Sequence, residues 1–171
     1  STPIKEYIDS LTDKSIRILI PGAGNAYEAE YLHQLGFENV HVLDIADNAI
    51  KLFRSRVHDF PSNHVIHCDF FEHQGEYDLI FEQTFFCALP PALRLKHAEK
   101  MRSLISLNGK LVGVMFNFPL EEKGPPWGGN EEMYREVFEP NFGSVKIKPC
   151  LNSIEPRQGS EYWVELSAPK K

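Results

Sequence analysis

The feature that most constrains this chain is one turn. The apolar run Ile18-Leu19-Ile20-Pro21 ends in Gly22-Ala23-Gly24, and a helical stretch begins at once with Asn25. A short apolar run of this kind reads as a strand buried on both faces. Glycine lets the backbone approach a ligand closely, and a helix N-terminus presents unpaired N–H groups. Asp44 closes the next apolar run, 20 residues after Gly24. A carboxylate at that place can accept hydrogen bonds from both hydroxyls of a ribose. Turn and acid together predict a parallel βαβ unit that binds a nucleoside.

The type of nucleoside is narrowed by what is missing. A dinucleotide fingerprint calls for a third glycine three residues after Gly24, and Tyr27 stands there. No Gly-Lys-Ser/Thr of a P-loop occurs. S-adenosylmethionine carries no phosphate, so a bulky residue at this position does it no harm. The turn favours the methyl donor.

Alternation continues along the chain. Residues 16–20, 40–43, 65–68 and 77–81 read as strands, the last three closing at Asp44, Asp69 and Glu82. Residues 25–35, 47–58 and 91–107 read as helices, with Gly36 ending the first and Pro91 in the first turn of the third. Asn108-Gly109 is predicted to turn the chain into a strand over residues 110–116. Strand and helix in alternation imply a mostly parallel sheet with helices on both faces. Residues 120–130 read as a loop, 131–138 as a short helix, and 144–148 and 161–166 as two late strands. Residues 156–160 form their turn, and the last strand is expected to pair antiparallel. The 171 residues read as one domain.

Composition excludes several classes. A net charge of −6 argues against nucleic acid, which needs a concentrated basic surface. No run of about 18 apolar residues is present, so no membrane span is expected. Cys68, Cys87 and Cys150 are odd in number and far apart, which suits free thiols in a reducing cytoplasm. His64, His67, Cys68 and Asp69 are the nearest approach to a metal cluster, but strand residues three apart face opposite sides. No metal is expected.

Gly22, Gly24, Asp44 and Asp69, in this order, resemble the first motifs of class I methyltransferases. Two further segments, Asp78-Leu79-Ile80-Phe81-Glu82-Gln83-Thr84-Phe85-Phe86-Cys87-Ala88-Leu89-Pro90 and Lys123-Gly124-Pro125-Pro126-Trp127-Gly128, are similar to the thiopurine S-methyltransferase-like group, which includes thiol and halide methyltransferases. The resemblance implies a Rossmann-like α/β fold with a seven-stranded sheet and an antiparallel last strand. It implies S-adenosyl-L-methionine as donor and a small soft nucleophile as acceptor: a thiol, thiopurine, halide or chalcogen anion. Donor contacts are expected from Pro21, Gly22, Ala23, Gly24, Asp44, Ile45, Asp69, Phe70, Glu82, Gln83 and Thr84. Phe85, Phe86 and Trp127 are expected to line an apolar acceptor pocket. Members of the group also carry a tryptophan- and tyrosine-rich segment ahead of the position matching Ser1, which folds over the active site. No counterpart of it stands in this sequence.

Methyl transfer from a sulfonium needs no enzyme nucleophile, so no catalytic residue is assigned. A nicotinamide-dependent oxidoreductase, disfavoured by Tyr27, and a non-catalytic nucleoside-binding module are the rival readings.

Overall fold

In β1 (Ile18–Pro21), Ile18 and Ile20 face one side of a sheet and Leu19 the other, and all are buried. The computed structural model, which describes residues 1–121 and 123–170, repeats this alternation in β2 (Val40–Asp44), β3 (Val65–His67) and β4 (Tyr77–Gln83). Two apolar faces demand two covers. Helices α1 (Thr2–Asp9), α2 (Tyr27–Gln34) and α3 (Asp47–Arg56) supply Ile4, Ile8, Ala29, Leu32, Ile50 and Phe53 to one side. Helices α4 (Arg94–Leu104) and α5 (Glu131–Phe138) supply Ala98, Met101, Leu104, Tyr134 and Phe138 to the other.

With β5 (Ile105–Phe116), β6 (Phe142–Pro149) and β7 (Glu161–Pro169), the sheet has seven strands in the order β3-β2-β1-β4-β5-β7-β6. β7 inserts between β5 and β6 and runs antiparallel to both; the neighbours β1 to β5 are parallel. This is the expected Rossmann-like architecture with its reversed last strand. The order switches direction between β1 and β4, which opens a crevice at their carboxyl ends.

The structure departs from the expectations in four places. Helix α1 was not anticipated, although Ile4 and Ile8 lie four apart and are buried against the sheet. The helix expected over residues 91–107 is a 3₁₀ turn, Pro91–Leu93, followed by α4, which stops at Leu104. Ile105 is already paired with Tyr77, with its side chain buried. Asn108-Gly109 consequently lies in an irregularity of β5, between the pairs Tyr77↔Ile105 and Leu79↔Lys110. A Cβ on Gly109 would stand 2.8 Å from the Tyr77 carbonyl oxygen, so glycine fits that close approach. The late strands extend beyond their expected limits, and residues 150–160 connect them with a 3₁₀ turn at Glu155–Arg157.

Among the described residues no helix is long and apolar enough to cross a membrane.

Candidate active site

The turn after β1 is held by a carboxylate. Gly22 and Gly24 both have positive φ, +58° and +52°, which L side chains rarely adopt. The Gly24 amide donates to Asp44 Oδ2 at 2.9 Å and the Ala46 amide to Asp44 Oδ1 at 2.8 Å. Asp44 thus ties the glycine turn to the start of α3 while facing the crevice between them. Ala23 continues the parallel ladder, its amide donating to the Leu43 carbonyl at 3.2 Å. Pro21 is buried beside it.

A cleft of 560 Å³ opens at the carboxyl ends of these strands. Gly22, Asp44, Ile45, Asp69, Phe70, Thr84 and Phe85 all line it, bringing together residues from four separate strand ends. Ile45 is 66% exposed, a large apolar surface turned to the cleft mouth. Asp69 Oδ1 accepts from the Phe71 amide at 2.8 Å, which fixes the turn that places Phe70 and Phe71 on the wall. Their rings meet edge to face, 5.3 Å apart. Sequence reasoning did not assign Leu89, Leu93 or Lys96 to this wall. They arrive from the segment between β4 and α4, where Leu89 and Leu93 flank the Pro90-Pro91 pair. Lys96 Nζ lies 4.6 Å from the Phe71 ring centroid, over its face.

The segment after β4 is built around Glu82. Glu82 is 1% exposed, and its Oε1 accepts from the amides of both Phe85 and Phe86 at 2.9 Å. That double anchor draws the chain into a tight turn, and Thr84 takes φ +57°, an uncommon value for a β-branched residue. Strain of this kind persists where the surrounding structure over-determines it. The turn also seats Phe85 against Gly22: a Cβ at position 22 would lie 2.1 Å from Phe85 Cδ2. Among the described residues Glu82 Oε2 has no hydrogen-bond partner, and neither does buried Gln83 Oε1.

Phe85 and Phe86 part company. Phe85 reaches the cleft, whereas Phe86 is 1% exposed and packs on His97, Tyr134 and Phe138 under the sheet. Trp127 is half-buried and does not line the donor-side cleft. Its amide donates to the Cys87 carbonyl at 2.7 Å, and buried Arg94 donates to the Gly128 carbonyl at 2.6 Å. The 123–130 loop is therefore docked onto the turn after β4. Burial, reinforced by the Glu82 charge, pushes the Cys87 thiol up to about 12, so it is protonated at neutral pH. Burial raises the Tyr134 hydroxyl as well.

Tyr27 begins α2 with its ring 60% exposed and the Arg56 guanidinium stacked 4.7 Å above it. It points away from the helix–sheet contact. Its bulk is thus not what decides between a dinucleotide and a methyl donor.

Comparison with known proteins decides more. A protein of Arabidopsis thaliana named probable thiol methyltransferase 2 is 32% identical to this chain, over 85% of the chain and 66% of that protein. Thiocyanate methyltransferase 1 of Brassica oleracea is 28% identical, over 94% of the chain and 74% of that protein. The chain thus spans about two thirds to three quarters of the length of these curated relatives. Among solved structures, the glycopeptide N-methyltransferase MtfA complexed with S-adenosyl-L-methionine superposes with a TM-score of 0.78 at 14% identity, covering 98% of this chain and 93% of that one. TehB from Haemophilus influenzae gives 0.69 at 16% identity, covering 100% and 62%. Those two similarities establish the class I methyltransferase fold. A family model described as thiopurine S-methyltransferase (TPMT) matches residues 1–163, and with that match over nearly the whole length, the chain belongs to the thiopurine S-methyltransferase family.

Proposed function

We propose that this chain is an S-adenosylmethionine-dependent methyltransferase acting on a small soft nucleophile. The observation that carries the reading is Asp44. Its carboxylate is oriented at the cleft by two backbone amides, beside a glycine turn that leaves no Cβ between the backbone and a ligand. Each carboxylate oxygen keeps a lone pair for a ribose hydroxyl. Asp69, Phe70 and Ile45 supply a polar edge and apolar walls suited to an adenine ring. Gly22, Thr84 and Phe85 would flank the methionine portion.

The donor supplies an electrophilic methyl group on a sulfonium, and the chain's residues position it and keep water out. Aromatic and aliphatic walls suit a reaction in which charge disappears, since a dry pocket strips water from an anionic acceptor. Trp127, on a loop fastened beside the β4 turn, is our candidate for covering the acceptor, and Phe85 for lining its pocket. Phe86 supports that turn from below. The family relatives are named for thiol, thiocyanate and thiopurine methylation, which supports a small-molecule acceptor and no nucleic-acid partner. Three free cysteines support work in a reducing cytoplasm.

Calorimetric titration with S-adenosylhomocysteine and, separately, NAD tests the donor. Selective binding of S-adenosylhomocysteine is expected. Selective binding of NAD would overturn the reading.

A further inference from the structure

A second, small cavity lies behind the turn after β4. It measures about 10 Å³, the lower limit for one water molecule and too small to admit a substrate's sulfur. Glu82, Thr84, Cys87, Tyr134 and Glu161 are among its walls. Thr84 lines both this cavity and the donor cleft, so the strained turn forms part of the wall of each. A carboxylate this buried ordinarily satisfies both its oxygens. Among the described residues Glu82 does so at Oε1 only; Oε2 is buried without a partner.

We infer that Glu82 Oε2 is the proton acceptor for a thiol that enters in its neutral form. The inference rests on the methyl-transfer reading above and adds the protonation state of the substrate. The thiol S–H bond breaks with its proton passing to Oε2 through one water of the size this cavity holds. The sulfur electron pair forms the new S–CH₃ bond as the methyl–sulfonium bond breaks, giving a thioether and S-adenosylhomocysteine. Glu82 returns the proton to solvent after product leaves.

The groups around Glu82 agree with this role. From α4, His97 Nε2 stands 3.8 Å from Oε2, and neither ring nitrogen of His97, which is fully buried, has a hydrogen-bond partner. From the 3₁₀ turn Phe86–Ala88 comes the Cys87 thiol, and from α5 the Tyr134 hydroxyl. Burial and the Glu82 charge hold both of these protonated, so neither competes for the proton. From β7 comes Glu161, engaged by Arg157 at 3.2 Å. Arg94 stacks 4.8 Å from the Phe86 ring centroid and donates to the Gly128 carbonyl, with its charge acting on both Cys87 and Tyr134.

The test compares 2-mercaptoethanol, protonated at neutral pH, with iodide, which has no proton to lose. Glu82→Gln retains Oε1 for the two amides and removes the base. The ratio of thiol to iodide kcat/KM is expected to fall roughly a hundredfold at neutral pH, the ordinary share of a general base. That deficit should shrink as pH rises toward the thiol's own pKa, and Glu82→Asp should restore part of the ratio. An unchanged ratio, or a deficit indifferent to pH, would overturn the inference. Should Glu82→Gln fail to bind S-adenosylhomocysteine, the wild-type profile decides. Thiol kcat/KM is expected to rise with a group titrating below the thiol, while iodide stays flat over that range. A thiol rate that merely follows the thiol's own ionisation overturns the inference. Transfer to iodide without transfer to thiol also defeats it but leaves the methyltransferase reading intact; binding of donor with transfer to neither defeats that reading.

Discussion

Gly22 and Phe85 occupy what would otherwise be the same space: a Cβ on Gly22 would sit 2.1 Å from Phe85 Cδ2. Two strand ends, β1 and β4, are brought to van der Waals contact at the floor of the cleft by the absence of one methyl group. Gly24 has a similar φ, but nothing lies within 4 Å of its virtual Cβ. Gly24→Ala should therefore cost only the left-handed strain, roughly 1–2 kcal/mol. Gly22→Ala carries that strain and also displaces Phe85, so it should cost more and weaken donor binding. Denaturant melts with S-adenosylhomocysteine titrations compare the two. Equal losses would mean the Gly22–Phe85 contact is relieved easily and does not shape the site.

Asp44→Ala removes the ribose acceptor and both backbone anchors of the glycine turn. Donor affinity should fall by roughly 1.5–3 kcal/mol, the range for hydrogen bonds to a charged group. Asp44→Asn keeps one acceptor oxygen but sets an amide against a backbone N–H, so an intermediate loss is expected. Calorimetry on folded variants reads this directly. Unchanged affinity would remove Asp44 from the donor site.

Much of this arrangement was legible in the sequence because successive strand residues face opposite sides of a sheet that is buried on both. Ile18, Leu19 and Ile20 announce a two-sided strand, and Asp44 announces its ligand by standing at the next strand's end. Other parts depend on tertiary placement. Leu89, Leu93 and Lys96 reach the cleft only because the chain climbs over the end of β4 before α4 begins, and no periodicity encodes that route. Phe85 and Phe86 are chemically alike and adjacent. The two amide bonds to Glu82 send one to the cleft and the other to the core. The end of α4 was misplaced for a similar reason, since Ile105 is claimed by its pairing with Tyr77.

At the opposite end of the sheet, His41 and His64 stack with ring centroids 4.2 Å apart. Burial, with the neighbouring His64 and Arg17, lowers the His41 pKa; burial, with Lys100 and Arg17, lowers that of His73. The folded state then stays unprotonated where the unfolded chain takes up protons. Stability should be complete above about pH 6.5, the unperturbed histidine value, and decline as pH falls below it. Thermal melts between pH 7.5 and 5.5 should show the decline, and His41→Phe should flatten it. An equally steep decline in the variant would place its origin elsewhere.

Cys87 sits beside the proposed acceptor region with its thiol pushed up to about 12. It should resist iodoacetamide at pH 8 in the native protein and react only on unfolding. Peptide mass mapping after timed alkylation checks this. Rapid native labelling of Cys87 would reveal a reactive thiol and a different chemistry at the β4 turn.

Trp127→Ala tests the docked loop. Trp127 lies outside the donor cleft, so turnover should slow while S-adenosylhomocysteine affinity barely changes. Anionic acceptors should suffer more than neutral ones, because they gain most from desolvation. Collapse of donor binding would instead make the loop a support of the donor site.

The central claim is tested most directly by incubating the wild-type protein with S-adenosylmethionine carrying an isotopically labelled methyl group and a panel of thiols, thiopurines and halides. Methylated acceptor and S-adenosylhomocysteine should appear in equal amounts, with the label on sulfur or halogen and the rate at low donor concentration sharply reduced in Asp44→Ala. Tight binding of S-adenosylhomocysteine without transfer of label to any acceptor would contradict the account and leave a nucleoside-binding module in place of an enzyme.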